Sequence, residues 1–195
     1  MKRVCSIFLG LLLAAGLLGG CAGPAKTPVS SAPPGLSEDE ARQILTEAVA
    51  AGEAVLKKFY LSPSLRADAE DTLPGREETY IRVTEEGFAS TADIQAATEK
   101  AFTPEAAAEL FYAEYLEGDS PVYLDAGGGL YEVADGGKNY TITWLCEKAA
   151  LLSQSQDSLR FRVPRLQLEE KIPDGELTLK KVQGFWLLDS GLEAV

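Results

Sequence analysis

The chain reads as an α+β domain, with about three N-terminal helices packed on a curved antiparallel sheet of about five to six strands. Two observations predict this. Up to Leu116 the apolar residues recur at helical spacing, and from Pro121 onward they alternate in short runs separated by turn residues. Helices first and a meander of strands afterwards leave each layer one apolar face, and the two faces cover each other. The stretch 37–195 is an ordinary size for one domain, burying about two-thirds of its unfolded surface.

Each element has a local reason. Ser37 and Glu40 form a capping box at the start of a first helix. Ala41, Ile44, Leu45, Ala48, Val55, Leu56 and Phe59 follow on one face, Gly52 weakens the middle, and Ser62-Pro63 stops it. A polar loop with Asp68, Glu70 and Asp71 leads to a short strand from Thr79 to Thr84. A second helix spans about Thr91 to Ala101. A third opens at Thr103-Pro104-Glu105, a capping threonine followed by proline at the first helical position, and stops at Gly118.

The strand half begins with a hairpin. Val122-Tyr123-Leu124 and Leu130-Tyr131-Glu132-Val133 flank Gly127-Gly128-Gly129. Asp135-Gly136-Gly137 turns the chain into a strand from Tyr140 to Leu152, which places Cys146 on one face with Ile142 and Trp144. Ser158 to Val163 alternates strictly and extends towards Leu168. Leu177–Val182 and Phe185–Leu188 close the fold around Gln183-Gly184, a two-residue turn.

Composition removes several chemistries. The chain has no histidine, which excludes Ser-His and Cys-His nucleophile pairs and the usual zinc sites. Of its three cysteines, Cys5 and Cys21 lie at the N-terminus, so Cys146 has no internal disulfide partner and reads as a small buried hydrophobe. No metal site and no cofactor are expected. Gly127-Gly128-Gly129 precedes strand material rather than a helix, so it is a hairpin turn and not a phosphate cradle. The acidic clusters at 38–40, 68–71, 77–78 and 85–86 lack the alternate spacing around a glycine that calcium loops need. Tyr112, Tyr115, Tyr123 and Tyr131 crowd the helix-to-sheet transition. They read either as core or as contacts of a pocket or a partner.

The N-terminus carries the strongest signal. Lys2 and Arg3 precede an uncharged leucine-rich stretch from Ile7 to Leu18, then Leu18-Gly19-Gly20-Cys21. An uncleaved membrane helix is the competing reading, since Val4–Ala25 is long enough to span a bilayer of roughly 30 Å. Against it, Gly16, Gly19, Gly20, Gly23 and Pro24 crowd its second half. The small residues before Cys21 resemble the lipobox of bacterial lipoproteins. That resemblance implies a signal peptide over 1–20, a lipid on Cys21 and a location on the outer face of the cell membrane. Residues 21–36, rich in Pro, Ala and Ser, read as a disordered tether, and 37–195 as a single domain. Without Lys2 and Arg3, 16 of the 18 basic residues remain against 30 acidic ones, a shortfall of 14. Such a surface repels nucleic acid, and membrane attachment falls to the lipid.

The order of elements resembles the cystatin-like or nuclear-transport-factor-like cone. Phe102-Thr103-Pro104-Glu105, Tyr115-Leu116-Glu117-Gly118, Val122-Tyr123-Leu124, Gly129-Leu130-Tyr131, Leu177-Thr178-Leu179 and Gly184-Phe185-Trp186-Leu187 are similar to the IseA family of cell-wall DL-endopeptidase inhibitors. The match covers roughly residues 100–190. The resemblance implies a non-enzymatic binding module whose partner is a cell-wall peptidase or wall component; the lipid anchor departs from that family's secreted pattern. A small-molecule pocket in the mouth of the cone is the alternative, and a carboxylate-based hydrolase a third. Cys21→Ser is expected to leave an unprocessed precursor that incorporates no lipid label, read by metabolic labelling. Normal processing of that variant would defeat the lipoprotein reading.

Overall fold

The computed structural model describes residues 35–61, 65–134 and 141–192. The leader, Cys21, the tether up to residue 34, the Ser62-Pro63 stop and the Asp135-Gly136-Gly137 turn lie outside the described residues. Among the described residues, no helix is long and apolar enough to cross a membrane.

Helix α1 (Glu38–Val55) starts as the capping residues require. The Ser37 N–H donates to Glu40 Oε2 at 2.8 Å, and the Glu40 N–H to Ser37 Oγ at 3.3 Å. Ala41, Leu45, Ala48 and Val49 bury one stripe. The chain then widens into a π-helical stretch, Leu56–Leu61, which turns Leu56, Phe59, Tyr60 and Leu61 all inward. Leu36, expected in the tether, instead packs against the core, and its carbonyl accepts from Gln154 Nε2 at 3.2 Å.

Helix α2 (Thr91–Thr98) is capped by Asp93, whose Oδ2 accepts from the Ala89 and Ser90 N–H groups, each at 2.9 Å. Helix α3 (Pro104–Ala107) continues through a π-helical stretch (Ala108–Tyr112) into a last turn (Ala113–Tyr115). Thr103 caps it, accepting from the Ala106 N–H at 3.2 Å while donating to Asp189 Oδ1 at 3.0 Å.

The α+β class stands, with the strands divided between two antiparallel sheets rather than gathered in one of five or six. The first has the order β1 (Ala67–Thr72), β2 (Tyr80–Val83), β4 (Gly129–Val133), β3 (Tyr123–Ala126). The segment read as a polar loop is thus an edge strand. Its charges remain mostly exposed, and an acidic edge discourages pairing with another chain. The β3–β4 turn has φ of +53° at Gly127 and +78° at Gly128, which a side chain would resist.

In the second sheet β7 (Ser158–Gln167), β8 (Glu170–Val182) and β9 (Phe185–Ser190) lie side by side. β5 (Ile142–Trp144) and β6 (Ala150–Gln154) share the free edge of β7. The strand expected from Tyr140 to Leu152 is therefore broken by a 3-10 turn at Cys146–Lys148, and Cys146 leaves the strand face of Ile142 and Trp144 while staying buried. The pairings along β7 show the break, with Trp144 opposite Arg165 and Ala150 opposite Arg162, so that the five residues between them span only two positions of β7 and bulge out as the turn.

The helical layer is tied to this sheet at β9. The Leu188 N–H donates to the Ala101 carbonyl at 2.9 Å, and the Thr103 N–H to the Leu188 carbonyl at 2.8 Å. Helix α1 crosses the same place at Gly52. A Cβ there would lie 2.4 Å from Leu188 Cδ1 and 2.7 Å from Leu192 Cδ2, both fully buried. Gly52 is thus a packing requirement rather than a weak point. Gly52→Val is expected to destabilise the domain by about 1–3 kcal/mol through overpacking, lowering the urea midpoint. An unchanged midpoint would show that Leu188 and Leu192 yield freely.

Candidate functional site

The four tyrosines singled out from the sequence are all buried, and they do not form one patch. Tyr112 donates to Glu99 Oε1 at 3.1 Å. Tyr115 stands edge-on to Tyr60 with ring centroids 5.0 Å apart. Tyr123 is fully buried on the helix-facing side of the first sheet. Tyr131 points to the opposite side, into a smaller cluster with Tyr80 and Leu124, and its hydroxyl lies 3.5 Å from Asp71 Oδ1. None of them lines any of the three grooves described below.

Their centre is a residue the sequence reading passed over. Tyr60, brought inward by the π-helical turn, stacks on Phe111 at 4.2 Å with rings 7° from parallel. Phe102 meets Phe111 edge-on at 5.1 Å. The Thr98 hydroxyl donates to the Ile94 carbonyl at 2.8 Å, so in the 2.6 Å contact between Tyr60 and Thr98 it is Tyr60 that donates.

Beside this stack lies the one strongly perturbed acid among the described residues, Glu132. It pairs directly with Tyr123 across the β3–β4 ladder, and opposed residues share a face. Glu132 is 5% exposed, and its Oε2 and the Tyr123 hydroxyl have no hydrogen-bond partner. Burial, with the Glu85 charge added, pushes the Glu132 carboxyl up to about 7. Burial and then Glu132 push Tyr123 above the ordinary phenol range. Glu85 itself is held down by Lys58, whose Nζ is 2.6 Å away, and by the Arg66 N–H at 3.1 Å. The sequence held one signal for this site, an acid inside the run Leu130-Tyr131-Glu132-Val133, where alternation puts it in phase with Leu130.

Such an interior can take up one proton near neutrality, but it has no activated nucleophile. Cys146 is pushed up to about 11 by burial and the Glu147 charge, so it remains a thiol. Among the described residues no group of histidine, cysteine or acidic side chains could hold a metal ion.

The surface offers three grooves. One of about 420 Å³ runs between α1 and β5, past Thr46, Glu53 and Trp144. A second, of about 320 Å³, lies on the other side of Trp144, where the Arg165 guanidinium stands 5.1 Å from the indole and Gly175 leaves room beneath it. A third, of about 450 Å³, is lined by Pro104, Val182, Phe185 and Leu187 with Glu99 and Lys100. Two large apolar side chains stand out at turns: Leu168, 75% exposed beside the β7–β8 turn, and Phe185, 73% exposed beside the β8–β9 turn. In the sequence both look like strand residues, because a turn's neighbour resembles any other member of an apolar run.

Compared with known proteins, the chain matches no family model and no curated protein.

Glu132 makes stability depend on pH with a definite sign. Its folded value, about 7, is raised above the ordinary 4.5, so the folded state holds the proton more tightly. The stabilisation is complete below pH 4.5 and is lost as pH rises through 7. Glu132→Gln is therefore expected to gain on the parent between pH 4.5 and 8, by up to about 3 kcal/mol. Urea unfolding of both chains across that range checks it, and a difference that stays flat with pH would overturn the assignment.

Proposed function

We propose that this chain is a lipoprotein held on the outer face of a bacterial cell membrane through Cys21, and that its domain is a non-enzymatic binding module. In its most specific form, the module inhibits a cell-wall DL-endopeptidase. The cystatin-like cone, helices closed over a curved sheet, is the form of the fold this reading adopts for the five-stranded sheet.

One observation carries the reading, the tip of the β7–β8 hairpin. Leu168 and Glu169 both have left-handed backbone, φ +50° and +72°, although neither is glycine or asparagine. Each such residue costs about 1–2 kcal/mol, which the surrounding ladder must offset. The ladder closes directly beneath it, with Gln167 opposite Glu170. The result is an apolar side chain presented on a stiff support. A tip of that kind loses little conformational entropy when it enters an open cleft, which favours a protein partner. The absence of histidine and the buried Cys146 thiol support a binding role over hydrolysis. The one acid whose charge raises Glu132 further is Glu85, already engaged by Lys58 and Arg66. The acidic surface suits an enzyme with a basic cleft.

The test is an assay of purified wall endopeptidases with the mature protein. Inhibition or retention is expected, and Leu168→Asp should weaken it at least about tenfold by placing a charge in the contact, equivalent to about 1.4 kcal/mol. The far-ultraviolet spectrum and urea midpoint of that variant should stay unchanged, because Leu168 lies in solvent. No retention and no inhibition by the parent protein would remove the inhibitor reading.

A further inference from the structure

We propose that the β8–β9 tip is a second membrane contact, which inserts its aromatic side chains into the bilayer interface and sets the orientation of the anchored domain. The proposal rests on the Cys21 anchor of the preceding reading.

Three observations converge on this tip. The first is local chemistry. Phe185 is 73% exposed beside the turn Gln183-Gly184. The groove at its foot is walled by Val182, Leu187 and Pro104, with Glu99 and Lys100 at its edge. Trp186 is half-buried, and Lys181 Nζ lies 5.6 Å from its ring. Exposed aromatic rings with lysines beside them suit the headgroup region of a bilayer, where one end of the residue is apolar and the other wet.

The second is charge. The chain as a whole is strongly acidic, but from Leu177 to Leu188 it carries Lys180 and Lys181 and no acid. Some of the acidic charge at this end of the sheet is offset within the protein, and the rest is held in hydrogen bonds. Glu38 and Asp39 pair with Arg42, Glu40 closes the α1 cap, Asp189 holds Lys180 at 2.9 Å, and Glu99 accepts from Tyr112. Asp157, beside Lys181, is the acid that opposes docking. The tip is thus an aromatic surface whose charges balance, Lys100, Lys180 and Lys181 against Glu99, Asp157 and Asp189, on an anionic domain.

The third is where the chain enters. Leu36 is bonded to Gln154, the last residue of β6. Gln154 lies opposite Leu159, Ser158 opposite Lys180, and the Lys181 N–H donates to the Asp157 carbonyl at 2.9 Å. The entry of the domain and the Phe185 tip therefore share one end of the five-stranded sheet, three strand spacings or roughly 15 Å apart. The 13 residues 22–34 can span at most ~45 Å, so a lipid on Cys21 would keep this end of the sheet within that distance of the bilayer. The tether raises the local concentration of lipid around the tip, so a contact too weak to hold the protein alone becomes populated. The other end of β8, 13 residues away, bears Leu168, which docking would point outward at up to ~43 Å from the lipid.

The experiment uses the chain from Cys21 onward, lipid-modified and reconstituted in vesicles of phosphatidylcholine and phosphatidylglycerol, with part of the acyl chains brominated. Trp186 emission is the readout, and the buried Trp144 supplies a constant background. Quenching by the brominated lipid is expected, cut by at least about half in Phe185→Ser. The exposed position of Phe185 lets its variant fold. A parallel sample is coupled through Cys21 to a maleimide lipid, the Cys146 thiol being buried. This sample reads the tip whether or not cells lipidate Cys21, which separates failure of the docking from failure of the anchor. No quenching in vesicle-bound protein overturns the proposal, as does quenching that Phe185→Ser leaves unchanged. A dimer in solution that Phe185→Ser dissociates would assign the groove to a second copy and overturn it too.

Discussion

Helix α1 lies on the five-stranded sheet at position 52, where the lack of a side chain lets the two pack closely. Leu188, Leu192 and Phe102 occupy the space a Cβ would need, and all three are buried. The same Leu188 exchanges backbone hydrogen bonds with Ala101 and Thr103, so one residue of β9 receives the first helix on its side chain and the α2–α3 link on its backbone. From there α3 runs over Tyr60, and the Tyr60–Phe111 stack fills the space between helix and helix. Interiors are packed to near crystalline density, so a crossing this close positions everything that packs around it.

The second sheet is built around β8, which pairs with β7 on one side and β9 on the other. Its inward residues Leu177 and Leu179, with Leu159, Phe161 and Val163 of β7, are fully buried. That face supplies the stability against which the left-handed residues at both turns are held. The two most exposed large apolar side chains of the described residues sit at opposite ends of this one element. A stiff strand pair with a protruding side chain at each end holds both side chains at fixed positions relative to the sheet.

The interior under the first sheet carries a different cost. Glu132 gives up its hydration, Oε2 recovers no hydrogen bond, and Tyr123 opposite it is in the same position. Burying such groups without partners is costly unless the carboxyl takes up a proton, which is why its value rises. Tyr60, Phe111, Tyr115 and Phe102 pack in the same apolar cluster as Tyr123, the residue opposite Glu132.

What could be read from the residues alone was whatever is decided within three or four positions. Ser37 with Glu40 and Thr103 with Pro104 start helices because the donors they satisfy lie in the next turn. Gly127-Gly128 and Gln183-Gly184 close hairpins because only the turn's own backbone decides that. The alternation of Leu159, Phe161 and Val163 marks a buried strand face wherever that strand goes. The acidic segment 67–72 gave no such sign, since an edge strand is held by its neighbour's backbone and not by its own apolar residues. Nor could the division into two sheets, the break at Cys146, the close fit at Gly52 or the isolation of Glu132 be foreseen. Local composition determined helices, turns, charge and the missing histidine. Tertiary structure alone decided which strands meet, which glycine is indispensable and which acid loses its water, because each depends on side chains brought together from distant parts of the chain.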